Sequence, residues 1–250
     1  MSDIILETRD LKKQFKGFSA VDGVSVKVQR GTIHALIGPN GAGKTTVFNL
    51  ITRFLSPTSG SVFYEGADIT RAVASEVACR GMVRSFQISA VFPQLSVREN
   101  VRLALQRKVG NPYSFWTPRA RLVALDPRID ELLEAVGIAG YAEEQTSTLP
   151  YGAKRALELA TTLALDPKLL LLDEPMAGLA HEDVGRISDL IRRIAANRTV
   201  LMVEHNLSVV ADLSDRITVL TRGRVLAEGN YAEVTSNRDV RDAYIGADHE

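Results

Sequence analysis

Two kinds of hydrophobic pattern alternate along the chain, and each change of pattern marks a change of element. Near the start, Ile4-Ile5-Leu6-Glu7-Thr8, and then Val24, Val26 and Val28 alternating with Ser25 and Lys27, have the period of two of half-buried strands. A turn at Arg30-Gly31 separates them from a β-rich apolar run, Thr32 to Ile37, and together they predict an antiparallel opening. Thr46-Val47-Phe48-Asn49-Leu50-Ile51 then has helical spacing. Ser56 to Gly60 is a turn cluster, Ser61 to Gly66 a further strand, Arg71 to Arg80 a polar helix-like piece, and Val83-Arg84-Ser85-Phe86-Gln87 another strand. From Val97 to Leu165 the pattern is helical except for Gly110 to Pro118, too rich in Pro and Gly for a helix interior, which predicts a helical lobe with a loop in it. Trp116 sits in that loop, as a packing anchor or as part of a partner surface. Leu169 to Leu172 and Thr199 to Val203 are apolar throughout, as central parallel strands buried on both faces must be, and the helical stretch His181 to Ala196 joins them in a right-handed crossover. Arg216 to Leu220 and Arg224 to Ala227 predict a hairpin about Arg222-Gly223, followed by a short helical tail after Gly229.

Composition narrows the class. With 250 residues, 45% of them hydrophobic, the chain has enough apolar surface for a sizeable core. Lys plus Arg and Asp plus Glu stand at 30 each, so no net basic charge points to nucleic acid as the main partner. The first residues lack the basic-then-apolar order of a signal peptide and no apolar run approaches the ~20 residues of a membrane span, which sets the expectation of a cytosolic chain. The one cysteine, Cys79, has no matched base or metal-ligand cluster beside it and is assigned no chemistry.

The candidate chemistry begins at Gly38-Pro39-Asn40-Gly41-Ala42-Gly43-Lys44-Thr45, which fits G-x-x-x-x-G-K-[ST] at every required position and is followed by a second threonine, Thr46. A predicted strand enters this stretch and a predicted helix leaves it, the order a phosphate-binding loop requires. Glycines let the backbone wrap a polyphosphate, and the helix start adds the positive end of its dipole. Lys44 would then neutralise the β- and γ-phosphates, and the Thr45 hydroxyl would ligate Mg²⁺. Downstream, Asp173-Glu174 cap the four-leucine strand and His205 closes the next one. Four apolar residues before Asp-Glu resemble a Walker B strand, in which the first carboxylate supports Mg²⁺ and the second orients the attacking water. Singly, an Asp-Glu pair is a solvated turn and a lone histidine a structural one; together with the loop upstream they read as a site. Phe15 and Phe18 flank Lys16-Gly17; taken alone, both rings are expected in the core.

Nearly the whole chain resembles the ATP-binding cassette (ABC) ATPases, through Phe15, Gly38 to Thr45, Gln87, Leu149-Pro150-Tyr151-Gly152-Ala153, and Asp173-Glu174 with His205. The resemblance implies an α/β fold, a P-loop NTPase (RecA-like) core with an antiparallel β subdomain and an inserted helical subdomain at about residues 91–165, the cassette ending near 236 before a tail. It makes Phe15 the adenine-stacking aromatic and Gln87 a lobe-coupling residue that senses Mg²⁺ and the γ-phosphate. Tyr151 and Gly152 become part of the signature that caps a nucleotide held by an opposing subunit, and His205 the switch histidine. Within the family the chain is similar to the longer cytosolic ATPase of branched-chain-amino-acid importers, on Tyr151-Gly152, Ala177-Gly178-Leu179, Glu204-His205-Asn206, the insertion near Trp116 and the ending Val240 to Gly246. This implies ATP and Mg²⁺, a second ABC ATPase subunit, membrane permease subunits and, indirectly, a periplasmic substrate-binding protein, with the chain peripheral on the cytoplasmic face. Urea, amides and aromatic acids are the alternative solutes.

The chain departs from the pattern where serine, glutamine and a polar residue are usual, with Pro150, Ala153 and Ala180. Pro150 removes a hydroxyl and a backbone N–H. The expectation is a heterodimer with unequal sites, the one built on this chain's Gly38 to Thr45 being the stronger. A small phosphate-loop kinase or GTPase leaves Gln87, Tyr151-Gly152 and His205 without tasks. A DNA-repair or translation ATPase would carry a long coiled coil or two cassettes. A regulatory nucleotide-binding partner fits Pro150 but not the intact Glu174 and His205.

Overall fold

The computed structural model describes residues 3–85, 91–109 and 123–245. The chain divides into two compact units, one made of Met1–Arg84, Lys168–Met176 and Ile191–Glu250, the other of Ser85–Pro167 and Ala177–Leu190.

The first unit holds two sheets. Strands β1 (Ile4–Phe15), β2 (Phe18–Val24), β3 (Lys27–Gln29), β5 (Ser59–Tyr64) and β6 (Ala67–Asp68) form an antiparallel sheet in the order β2-β1-β5-β6, with β3 also on β1. Strands β4 (Ile33–Ile37), β7 (Met82–Arg84), β8 (Leu169–Asp173), β9 (Thr199–Val203), β10 (Arg216–Thr221) and β11 (Arg224–Gly229) form the other, in the order β11-β10-β4-β9-β8-β7. Its pairs are parallel except β10 with β11. Every residue of β4, β8 and β9 is buried, which is why their sequences are continuous apolar runs rather than alternating ones. The register decides what these strands can build. Leu36 lies opposite Val203, and Val203 opposite Asp173, so the three central strands end level. Gly38, Glu174 and Glu204 therefore leave the sheet at one edge, the carboxyl edge at which open α/β sheets bind ligands. The helix Lys44–Ile51 buries Val47, Phe48, Leu50 and Ile51 in one cluster with Leu6, Val28 and Tyr64 of the first sheet and Leu36, Leu171 and Leu201 of the second.

The opening strands differ from expectation. The Val24, Val26, Val28 alternation is buried as the pattern demands, yet it does not form one strand: Val24 ends β2 and Val28 lies in β3. The cause is Thr8, a buried residue whose hydroxyl donates to Val24 O at 3.1 Å and accepts from Val26 N at 2.9 Å, so a side chain replaces the ladder at that point. β1 continues past Thr8 to Phe15 because a register shift between Leu11 and Lys12 absorbs the polar stretch. Cys79 is exposed, at the end of the short helix Ala74–Cys79. A helix the pattern did not show, Leu207–Leu213, starts where the Asn206 side chain accepts from Ser208 N and Val209 N.

The second unit is helical. Helices Val97–Val109, Asp126–Ala135 and Tyr151–Leu163 bury Val97, Val101, Ile129, Leu132, Leu133, Leu157 and Leu163. Ser96 and Glu99 satisfy each other's backbone N–H groups at the first helix start. Buried Asn100 donates to Phe92 O, Ser96 O and the Thr146 hydroxyl and accepts from Phe92 N, tying that start to the turn Thr146–Thr148. Gln87 and Trp116 lie outside the described residues. Among the described residues, no helix is long and apolar enough to cross a membrane.

Candidate functional site

The loop from Gly38 to Gly43 is shaped from behind by the β10–β11 hairpin. Gly38 has φ 149°, and a Cβ there would stand 2.2 Å from Leu220 O; at Gly43, φ 98°, it would stand 2.6 Å from Ala20 O. Neither neighbour is a side chain that can swing aside, so both positions require glycine for close backbone approach. Ala42 O accepts from Gly223 N at 3.0 Å, and Gly223 O accepts from Asp22 N at 2.8 Å, which moors the loop to that hairpin turn. The sequence pattern showed the hairpin but not this task.

Gly43 also caps the helix Lys44–Ile51, with no side chain bonding its first N–H groups. Asn40, Gly41 and Thr45 beside them are exposed, with Pro39 and Thr46 half-buried. Lys44 crosses the loop: its buried ammonium donates to Gly38 O at 2.6 Å and Pro39 O at 3.0 Å. Burial pulls the Lys44 pKa below its ordinary value, while the charges of Glu174 and then Asp173 push it back up. An open helix start, a loop whose glycines are pressed against the backbone behind it and a preset cation fit a polyphosphate.

Across the sheet edge, Asp173 is buried in an ion pair with Arg84, whose guanidinium also donates to Asn49 Oδ1 at 2.5 Å and lies 5.7 Å from the Phe48 ring centroid. Arg84 thus joins the end of β8 to the helix after the loop. It was legible only as part of a strand, since its partners are 35 and 89 residues away. Glu174 is half-buried with φ 47°, a conformation that costs a glutamate ~1–3 kcal/mol and persists only where the surroundings impose it. Its N–H donates to Val203 O at 2.9 Å. His205 has an exposed side chain, and its N–H donates to Glu204 Oε2 at 3.0 Å. No group of three or more His, Cys, Asp or Glu residues among the described ones forms a metal site. The Thr45 hydroxyl and the Asp173 carboxylate are hard oxygen donors of the kind that suits Mg²⁺ when a phosphate ligand supplies the rest.

Phe15 and Phe18 face each other across the β1–β2 turn, and neither is in the core: they are 44% and 66% exposed. The expectation of core packing is corrected, because the hairpin extends these residues beyond the reach of the cluster. Lys13 Nζ lies 5.1 Å from the Phe15 ring centroid.

In the second unit, Pro150 is the N-cap of the helix Tyr151–Leu163 and supplies no capping bond. The half-exposed Tyr151 donates its hydroxyl to Ala177 O at 3.0 Å. A Cβ on Gly152 would stand 2.8 Å from the Asp183 carboxylate, so a carboxylate lies beside this helix start.

A mononucleotide cradle on a parallel sheet, with paired carboxylates at the level strand ends, defines a P-loop nucleotide-hydrolysing protein. The family model for ABC transporters matches residues 21–177, and the chain belongs to that family. A second model, the branched-chain amino acid ATP-binding cassette transporter, matches residues 224–250. The chain is 37% identical, over 98% of its length and 99% of the relative's, to the high-affinity branched-chain amino acid transport ATP-binding protein BraF of Pseudomonas aeruginosa. It is equally similar, at 37% and the same coverage, to LivG of Escherichia coli, a protein with the same description. Among solved structures it superposes on a nucleotide-free ATP-binding cassette from an ABC transporter with TM-score 0.85 and 30% identity, covering 97% of this chain and 99% of that one. A cassette in its ADP conformation matches with TM-score 0.85 and 30% identity, covering 98% of this chain and all of the other.

Proposed function

We propose that the chain is the ATP-hydrolysing subunit that powers an importer of branched-chain or related amino acids. The observation that carries the reading is the level ending of β4, β8 and β9, which sets Lys44, Asp173 and Glu174 at one sheet edge beside an open phosphate cradle. The full-length similarity to BraF and LivG supports the solute class.

The residue roles follow from chemistry. Gly38 to Thr46 hold the phosphates through backbone N–H groups, and Lys44 stabilises charge on the transferred phosphoryl group. Glu174 polarises the attacking water, and His205 holds that water in register. Phe15, exposed at a hairpin end, stacks on the adenine. Thr45, Asp173 and Gln87 are the residues that would hold Mg²⁺, which supplies charge neutralisation between the phosphates. Tyr151 and Gly152 cap a nucleotide bound by a second ABC ATPase subunit, and permease subunits place the assembly on the cytoplasmic face of the membrane. The capless Pro150 and the carboxylate beside Gly152 support unequal sites, because both weaken an anion's hold at that helix start.

Uptake of labelled leucine, isoleucine and valine in cells lacking only this chain is the direct test. Loss of uptake, restored by the wild-type chain and not by Glu174→Gln, is expected. Unchanged uptake of all three with loss of urea or aromatic-acid uptake would reassign the solute, and unchanged uptake of every solute would overturn the importer reading.

A further inference from the structure

Binding and hydrolysis as proposed for Lys44, Asp173, Glu174 and His205 make no use of the Glu204 carboxylate. Yet Glu204 is 0% exposed, one residue beyond the end of β9. A buried carboxylate is a costly choice at the end of an apolar strand, and it persists only where hydrogen bonds replace the lost water. Glu204 has three, all from backbone. Its Oε1 accepts from Met176 N at 3.0 Å, and its Oε2 accepts from His205 N at 3.0 Å and from Asn206 N at 3.1 Å.

Those three donors belong to two different turns. Met176 lies two residues after Glu174, and His205 and Asn206 begin the turn after β9. The β8–β9 ladder ends at Asp173 opposite Val203, and one more backbone bond, Glu174 N to Val203 O at 2.9 Å, follows it. Past that point the carboxylate takes over the work of the ladder. Glu174 in its left-handed conformation is thereby held from both sides, by Val203 O at its own N–H and by Glu204 two residues on. Strain of that kind needs such a restraint to survive.

We propose that Glu204 is a positioning residue for hydrolysis: its two carboxylate oxygens set the turn after Glu174 against the turn that carries His205, and so fix the two groups that direct the water. The inference rests on the proposed roles of Glu174 and His205. Glutamine is nearly isosteric but has a single acceptor oxygen, so it can serve one turn and must turn an N–H₂ toward the donors of the other. Aspartate keeps the charge but is one methylene short of spanning both turns.

The test uses the full chain, assembled with its partner subunits for turnover. Glu204→Gln and Glu204→Asp are expected to lower kcat by ~10-fold or more, since small misplacements of catalytic groups carry such losses, with the KM for ATP and the affinity for a fluorescent ATP analogue within twofold of wild type. A folded variant with kcat within twofold of wild type would overturn the proposal. Hydrogen exchange on the wild-type chain gives a reading that needs no variant: the Met176, His205 and Asn206 amides are expected to be protected, and rapid exchange at Met176 would also overturn it. Glu174→Gln is the reference arm. If Glu174→Gln turns over ATP like wild type, the assignment of Glu174 fails; if it is inactive while Glu204→Gln is not, only the clamp fails.

Discussion

Two helix starts in this chain carry glycines, at Lys44 and at Tyr151, and they are built to opposite effect. The first is left empty. Gly43 caps it without a side chain, Gly38 and Gly43 are pressed against fixed backbone, and a lysine is folded over the loop. The second is partly filled: Pro150 adds neither hydroxyl nor N–H, and the Asp183 carboxylate lies against Gly152. A glycine at a helix start therefore says little about anion binding by itself. What decides is whether the neighbouring atoms leave the N–H groups free, and whether those atoms can move.

The sharpest way to break this contrast is to add one methyl group to each start. Gly38→Ala places a Cβ against the Leu220 carbonyl at a φ of 149°, and the account expects loss of at least ~3 kcal/mol in unfolding free energy together with loss of ATP binding, by denaturant unfolding and nucleotide titration. Gly152→Ala meets only the end of a flexible side chain, so a cost of about 1 kcal/mol or less is expected. Equal costs at the two positions would erase the distinction.

Acid should separate the two units by nearly as much. His34 is fully buried on β4 with Nε2 at 2.8 Å from the Thr218 hydroxyl, and burial, then the charge of Arg216, lower its pKa to about 4. The unfolded chain takes up that proton near pH 6.5, so the neutral histidine's contribution is complete above that value. It is lost as the pH falls from about 6.5 toward 4, by up to ~3 kcal/mol in all. The buried Asn100 network of the second unit does not titrate. His34→Gln is expected to flatten the acid limb of the unfolding curve relative to wild type; an unchanged limb would remove His34 as its cause.

A smaller effect than that of acid is expected at Pro150. Pro150→Ser restores a side-chain cap worth ~0.5–2 kcal/mol of local stability, and in the assembled complex it should raise nucleotide retention severalfold. No change in ATPase rate or in retention would count against unequal sites.

What was legible in the sequence follows from which forces act locally. The runs that became β4, β8, β9 and the β10–β11 hairpin are continuous or punctuated hydrophobic signals, and they give the sheet that carries the loop and the paired carboxylates. Thr8 is the opposite case, because a hydroxyl that substitutes for a ladder bond leaves the alternation intact while breaking the strand. The rings of Phe15 and Phe18 were expected inside on hydrophobicity alone, and a hairpin end placed them in solvent. Arg84 and Glu204 were visible only as members of a strand and a turn. Arg84 meets Asn49 and Asp173, 35 and 89 residues away, and the Glu204 carboxylate reaches Met176 28 residues back. No local pattern encodes that. The Asn206 cap with Ser208 was an overlooked local signal, and it announces the helix Leu207–Leu213.

The central claim is that hydrolysis at the sheet edge runs through Glu174. ATP turnover by the chain assembled with its partner ATPase and membrane subunits, wild type against Glu174→Gln, tests it most directly. The account predicts a fall of ~10² to 10⁴ in rate with ATP binding spared. A near-wild-type rate in the variant would contradict it.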